Sequence, residues 1–230
     1  MDYLLKKGNR ELAADGIYTW SIPALNTRLS DGRNFVTCPN AGVCAKLCYA
    51  RSGTYNFSNV KAAHTRNLEL YLSDPEAWTA RMIEEMKDKR YRGGKSVRIH
   101  DSGDFFSRQY YADWLAIAEA TPDVLFYAYT KEVEMTKGMK RPKNFTLIYS
   151  MGGKQDHLVD KDNDRHADVF PTLEALEAAG YADQTESDLL AATLPSNRIG
   201  IVVNNIPHLK KKQGSQTFSG LQEEREERLR

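Results

Sequence analysis

Residues 95–130 read KSVRIHDSGDFFSRQYYADWLAIAEATPDVLFYAYT. KSVRIH (95–100) is a strand. Asp101–Phe106 is a turn, and Ser107 caps a helix that carries Trp114, Ile117 and Ala118 until Thr121–Pro122 ends it. Val124–Thr130 is then an almost continuous apolar run, as a strand covered on both faces requires. Strand, helix and strand within this window make one parallel crossover unit, and the rest of the chain extends it. Strands are expected at 16–23, 145–150 and 198–203. Helices are expected from an N-cap at Ser58 to about Leu72, from an Asp74 cap and Pro75 to about Lys89, and at 172–179 and 187–194. This alternation predicts an α/β fold with a parallel sheet under covering helices. Residues 1–205 read as one domain, and the polar residues 206–230 as a C-terminal tail or a solvated helix.

The composition agrees with one compact domain: 230 residues, 41% hydrophobic and 27% charged. No apolar run approaches the roughly 18 residues of a membrane span, and the N-terminus lacks the apolar core of a secretion signal, so no membrane association and a cytoplasmic location are expected. Net charge is +1, but residues 156–190 hold ten Asp and Glu against Lys161 and Arg165. That stretch reads as an acidic lobe or insertion, and the basic remainder suits a polyanionic partner.

All three cysteines fall in TCPNAGVCAKLCYA, at Cys38, Cys44 and Cys48, within a segment (24–57) of little periodicity. Three cysteines make no disulfide framework. Gathered on one short loop, they can converge on an inorganic centre. Zinc with His64 or His100 as fourth ligand is one reading, an iron–sulfur cluster with one open iron a second, and thiols that hold no metal a third. The turn His100-Asp101-Ser102-Gly103-Asp104 closes a strand at the edge where parallel α/β folds collect ligand groups. His100, Asp101 and Asp104 could instead bind a divalent metal for phosphoester hydrolysis. The next strand ends in Tyr129, Thr130 and Lys131, where Lys131 suits a carboxylate or phosphate. Ser150–Gly153 (SMGG) could admit a nucleotide to the backbone, and Asn204 and Asn205 could contact a substrate base. Two basic patches, Lys87–Lys95 and Lys137–Lys143, could track a phosphate backbone.

The three-cysteine loop after a first strand, followed by alternating strands and helices, resembles the radical S-adenosylmethionine (SAM) superfamily. TCPNAGVCAKLCYA and IHDSGDFFS also look like a family of phage proteins, the gene product 88 type, which carries no established activity. The spacing here is C-x5-C-x3-C rather than the superfamily's C-x3-C-x2-C, and Tyr49 follows the last cysteine instead of preceding it. The resemblance implies a partial parallel (β/α) barrel with the cysteine loop after the first strand, and a [4Fe-4S] cluster on Cys38, Cys44 and Cys48. It further implies that the open iron takes SAM, whose reductive cleavage gives a deoxyadenosyl radical. On this reading His100, Asp101, Asp104 and Lys131 serve the reaction, while Ser102, Gly103, Tyr49 and Tyr129 hold cofactor or substrate. The substrate expected is a nucleotide or nucleic acid. A nucleic-acid-binding module with a structural zinc or iron–sulfur centre, and the metal-dependent hydrolase, are the alternatives.

Overall fold

The computed structural model describes residues 3–203 and 206–230; Asn204 and Asn205 lie outside it. In chain order the elements are β1 (Lys6–Lys7), α1 (Arg10–Ala14), β2 (Ile17–Trp20), β3 (Asn26–Arg28), β4 (Asn34–Val36), α2 (Cys44–Leu47), α3 (Ser58–Ser73), α4 (Pro75–Met86) and β5 (Ser96–Ile99). There follow α5 (Arg108–Ala120), β6 (Leu125–Thr130), α6 (Val133–Thr136), β7 (Phe145–Ser150), β8 (His166–Phe170), α7 (Leu173–Ala178), β9 (Ala182–Asp183), α8 (Leu190–Thr193), β10 (Arg198–Val202), α9 (Pro207–Gln213) and α10 (Phe218–Glu227).

Eight strands form one sheet in the order β1-β2-β5-β6-β7-β8-β10-β9, and only the β1–β2 pair is antiparallel. From β2 to β8 each strand lies beside the next main-sheet strand in the sequence; β10 then pairs with β8 and the two-residue β9 lies outside β10. Because these seven strands are parallel, their C-terminal ends fall on one edge. The sheet does not close. The expected partial barrel is therefore met only as an open, mostly parallel sheet.

Alternation within the strands separates two cores. Val97, Ile99, Phe126, Ala128, Leu147 and Tyr149 face Leu68 and Tyr71 of α3, Trp78 and Met82 of α4, and Trp114 and Ile117 of α5. On the other face Ile17, Tyr127, Ile148, Ala167 and Ile199 meet Leu12 of α1 and Ala191 of α8, with Leu189, Ala192 and Leu194 partly buried against them. Two short helices leave that face incompletely covered, and this opening becomes the cavity described below.

Most elements lie where the pattern puts them, but Ser58 is the first residue of α3 rather than its cap, a position taken by Phe57. β8 lies inside the acidic stretch 156–190, paired with β7 and β10. Its Asp168 is buried and accepts hydrogen bonds from Ser219 Oγ (2.5 Å), Ser219 N (3.2 Å) and Val169 N (2.8 Å). Residues 206–230, expected as a tail or a solvated helix, form α9 and α10, which bury Leu209, Gln213 and Gln222.

Candidate functional site

The C-terminal strand ends, α1 and the cysteine segment enclose a cavity of about 760 Å³, within the usual range for small-molecule sites. All eleven residues given roles on the radical SAM reading line it: Cys38, Cys44, Cys48, Tyr49, His100, Asp101, Ser102, Gly103, Asp104, Tyr129 and Lys131. Their individual environments differ sharply.

The cysteine segment is strapped to four strand ends. Asn40 donates to both oxygens of Glu132 beyond β6, from its N (3.1 Å) and Nδ2 (2.7 Å). Beyond β7, Cys44 N donates to the Gly152 carbonyl (3.1 Å) and Lys154 N to the Asn40 carbonyl (3.0 Å). Beyond β5, Tyr49 OH donates to the Asp101 carbonyl (2.6 Å) and Tyr55 OH to Asp101 Oδ2 (2.5 Å). Beyond β2, Leu25 N donates to Cys38 Sγ (3.2 Å). Gln222 of α10 adds a fifth strap, accepting from Val43 N at 2.9 Å. The closeness depends on Gly42, whose φ of +51° suits glycine and whose added Cβ would lie 2.4 Å from the Gly152 oxygen. SMGG thus holds the cysteine loop.

Burial raises the thiol pKa of Cys38 and that of Cys48, the latter to about 11, and Cys44 raises each further. Among the described residues, no three His, Cys, Asp or Glu side chains close on one point, as a single ion demands. The zinc site with His64 or His100 is not formed: His64 packs against the Tyr55 ring at 6.2 Å, and His100 is engaged elsewhere. Nor do His100, Asp101 and Asp104 meet, so the hydrolase constellation is absent from this geometry.

His100 Nε2 lies 2.9 Å from Tyr110 OH, which accepts from Trp20 Nε1 at 2.9 Å. Nε2 is therefore satisfied by Tyr110, whichever of the two supplies the hydrogen. Burial lowers the His100 pKa to about 3, so the ring is neutral. Among the described residues Nδ1 has no hydrogen-bond partner, and neither do the buried Ser102 Oγ, Arg98 Nε and Gln213 Oε1, whose residues also line the cavity. A group bound in the cavity would supply these missing bonds; Trp78, Tyr111 and Trp114 carry other unpartnered polar atoms within the outer core. His100 (φ +67°) and Leu25 (φ +63°) are the described non-glycine residues with positive φ, a strain that concentrates at functional sites. Gly103 (φ +95°) makes the expected tight turn, and Ile22 fills its side-chain direction: an added Cβ would lie 2.3 Å from Ile22 Cγ1.

Two residues expected to face substrate are instead occupied. Asp104 accepts from Thr130 Oγ1 (2.6 Å), Lys131 N (3.0 Å) and Phe105 N (2.7 Å), tying the β5 and β6 ends together. Lys131 Nζ donates to the carbonyls of Ser150 (2.7 Å) and Met151 (2.8 Å) and to Ser150 Oγ (2.9 Å). All three ammonium hydrogens are used, and what remains is a fixed positive charge near Cys48, Asp104, Asp156 and Asp168.

Sequence reading missed Arg98. Its guanidinium lies in the cavity wall, 2.9 Å from Asp188, 3.7 Å from Asp101 and 3.3 Å from Tyr49 OH, with its carbon 5.2 Å from the Tyr129 ring centre. Tyr127 OH donates to the same Asp188 (2.5 Å), and Tyr129 OH to Gln184 (2.7 Å). The available signal was a lone arginine between the inward-facing Val97 and Ile99, which alternation turns onto the opposite face.

Among the described residues no helix is long and apolar enough to cross a membrane. The chain is 38% identical over 110 residues to the Gene 88 protein of Mycobacterium phage L5, covering 45% of this chain and 46% of the relative. It is 35% identical over 111 residues to the Gene 88 protein of Mycobacterium phage D29, covering 45% of each. These matches span less than half the length of the curated relatives. No solved structure matches. The family profile described as Gene product 88 matches residues 3–229, from the first edge strand to the last helix, and on that extent the chain belongs to the Gene product 88 family.

Proposed function

We propose that the cavity carries an iron–sulfur cluster on Cys38, Cys44 and Cys48, with SAM at the remaining iron, in a host-cytoplasmic enzyme of radical SAM type. The observation that carries this reading is that one cavity is lined by all three cysteines and by four residues with a buried polar atom unpartnered among the described residues, Arg98, His100, Ser102 and Gln213, at the C-terminal edge of a mostly parallel sheet that would serve as a partial barrel. A cluster spreads its thiolates over separate irons, so it needs them around a space rather than on one point. The Leu25 amide on Cys38 Sγ supports a thiolate there, and the Lys131 charge offsets cluster negative charge. Ser102 Oγ and His100 Nδ1 provide unspent hydrogen bonds for the amine or carboxylate of a ligand. When bound, such a pair supplies a carbon radical that removes hydrogen from a substrate. The protein's own work is to orient that substrate in the cavity against Arg98, Tyr129 and Gln184.

Anaerobic purification and reconstitution should give about four irons and four sulfides per chain, an electron paramagnetic resonance signal on reduction, and a change in that signal when SAM is added. Replacing Cys38, Cys44 and Cys48 by Ser should remove the signal. Zinc without iron would overturn the cluster. A cluster whose spectrum ignores SAM would end the radical reading alone.

A further inference from the structure

Acidic residues are absent from two long stretches, 32–68 and 189–222. The fold brings their middles together beside the cavity mouth. Lys212 Nζ of α9 lies 3.4 Å from the Lys46 carbonyl of α2, and Ser52 Oγ lies 3.3 Å from His208 Nε2. Lys46, Arg51, Lys211 and Lys212 are exposed, and none forms an ion pair among the described residues. Placing uncompensated cations side by side costs electrostatic energy that a polyanion would relieve. A hollow of about 390 Å³ lies between Ser52–Tyr55 and Ile206–His208, and Tyr49 and Tyr55 line both it and the cavity. Phe57, at its edge in sequence, is 58% exposed.

We propose that this face docks single-stranded nucleic acid, with phosphates along Lys46, Arg51, Lys211 and Lys212 and an unstacked base beside Tyr55 and Phe57. Cations interleaved with accessible aromatic rings, here the exposed Phe57 and the half-buried Tyr55, are what a single strand uses, because each base offers a ring face and each linkage a charge. An acidic protein would satisfy the cations and leave the hollow and Phe57 without a role. A duplex has no free base face to offer. The shared tyrosines lead from the hollow to the cavity, so the strand is the substrate class for the chemistry proposed above. That consequence rests on the cluster reading; the surface itself does not.

The test is fluorescence anisotropy with a labelled oligothymidylate about 20 nucleotides long, on full-length protein. Lys211→Glu/Lys212→Glu should weaken binding at least about tenfold and reduce the slope of log affinity against log salt by about 1.4. Phe57→Ala should weaken it about fivefold or more. Lys87→Glu/Lys89→Glu, on the other basic patch, should change nothing. Equal loss in that control, unchanged binding by Phe57→Ala, equal affinity for duplex, or equal competition by polyglutamate would each overturn the proposal. Iron content separates the two readings: iron without oligonucleotide binding defeats this surface alone, and oligonucleotide binding without iron defeats only the cluster.

Discussion

Lys131 and Glu132 are adjacent, and each is spent on holding structure rather than exposed to solvent. The lysine neutralises a pocket of buried acids; the glutamate receives the Asn40 amides and so positions the cysteine loop. Burial first, and then Asp104, raises the Glu132 pKa from 4.5 to about 7. A carboxyl raised on folding keeps its proton in the native state when the unfolded chain has released it. Its stabilising contribution is complete below pH 4.5 and is lost as pH rises through 7. Glu132→Gln is neutral throughout. In urea titrations of metal-free protein, the wild type should lose about 2 kcal/mol more stability between pH 5 and pH 8 than the variant does. Parallel stability curves would show that Glu132 ionises normally.

At the scale of elements, the site depends on contacts between pieces that sequence pattern treats as unrelated. The crossover unit 95–130 was legible because Ser107, the apolar helix face and the strand run all point to the same local structure. β8 was not, since a buried Asp168 breaks its apolar pattern and its compensation comes from Ser219, fifty-one positions away. α10 reads as a solvated helix because the group it buries against the cysteine loop, Gln222, is polar. Gly42 was equally opaque: a loop glycine says only that something unusual happens there. Its replacement by Ala should combine the left-handed strain with a collision against the Gly152 carbonyl and Gln222, costing about 2–4 kcal/mol. Gly53, also at positive φ but with open space around its would-be Cβ, provides the comparison: Gly53→Ala should cost only about 1 kcal/mol. Equal losses in chemical denaturation would mean that backbone strain, not close approach, governs the loop.

Across the whole molecule, the winding from β2 to β6 explains why residues scattered from 38 to 131 were recognisable as neighbours around one cavity: each lies just past a strand or on the loop strapped to those ends. The inner wall was illegible because Arg98 and Asp188 form a partnership ninety residues apart. Stability is also distributed unevenly. The outer face packs Trp20, Trp78, Trp114 and their neighbours into a dense core, whereas residues 37–57 bury only Ala41, Val43 and Leu47 among their hydrophobics. The cysteine segment therefore relies on polar straps, and such regions open locally before the core does. A group binding all three thiols would act where local stability is least, and it would stabilise the native state by mass action. Cluster loading should raise Tm by about 5–10 °C. In hydrogen exchange it should slow residues 37–57 and the strand ends at 100–104 and 150–154, while leaving α4 and α5 unchanged. Slowing spread evenly over the outer core would place the centre elsewhere, and no slowing at 37–57 would mean that those cysteines do not hold it.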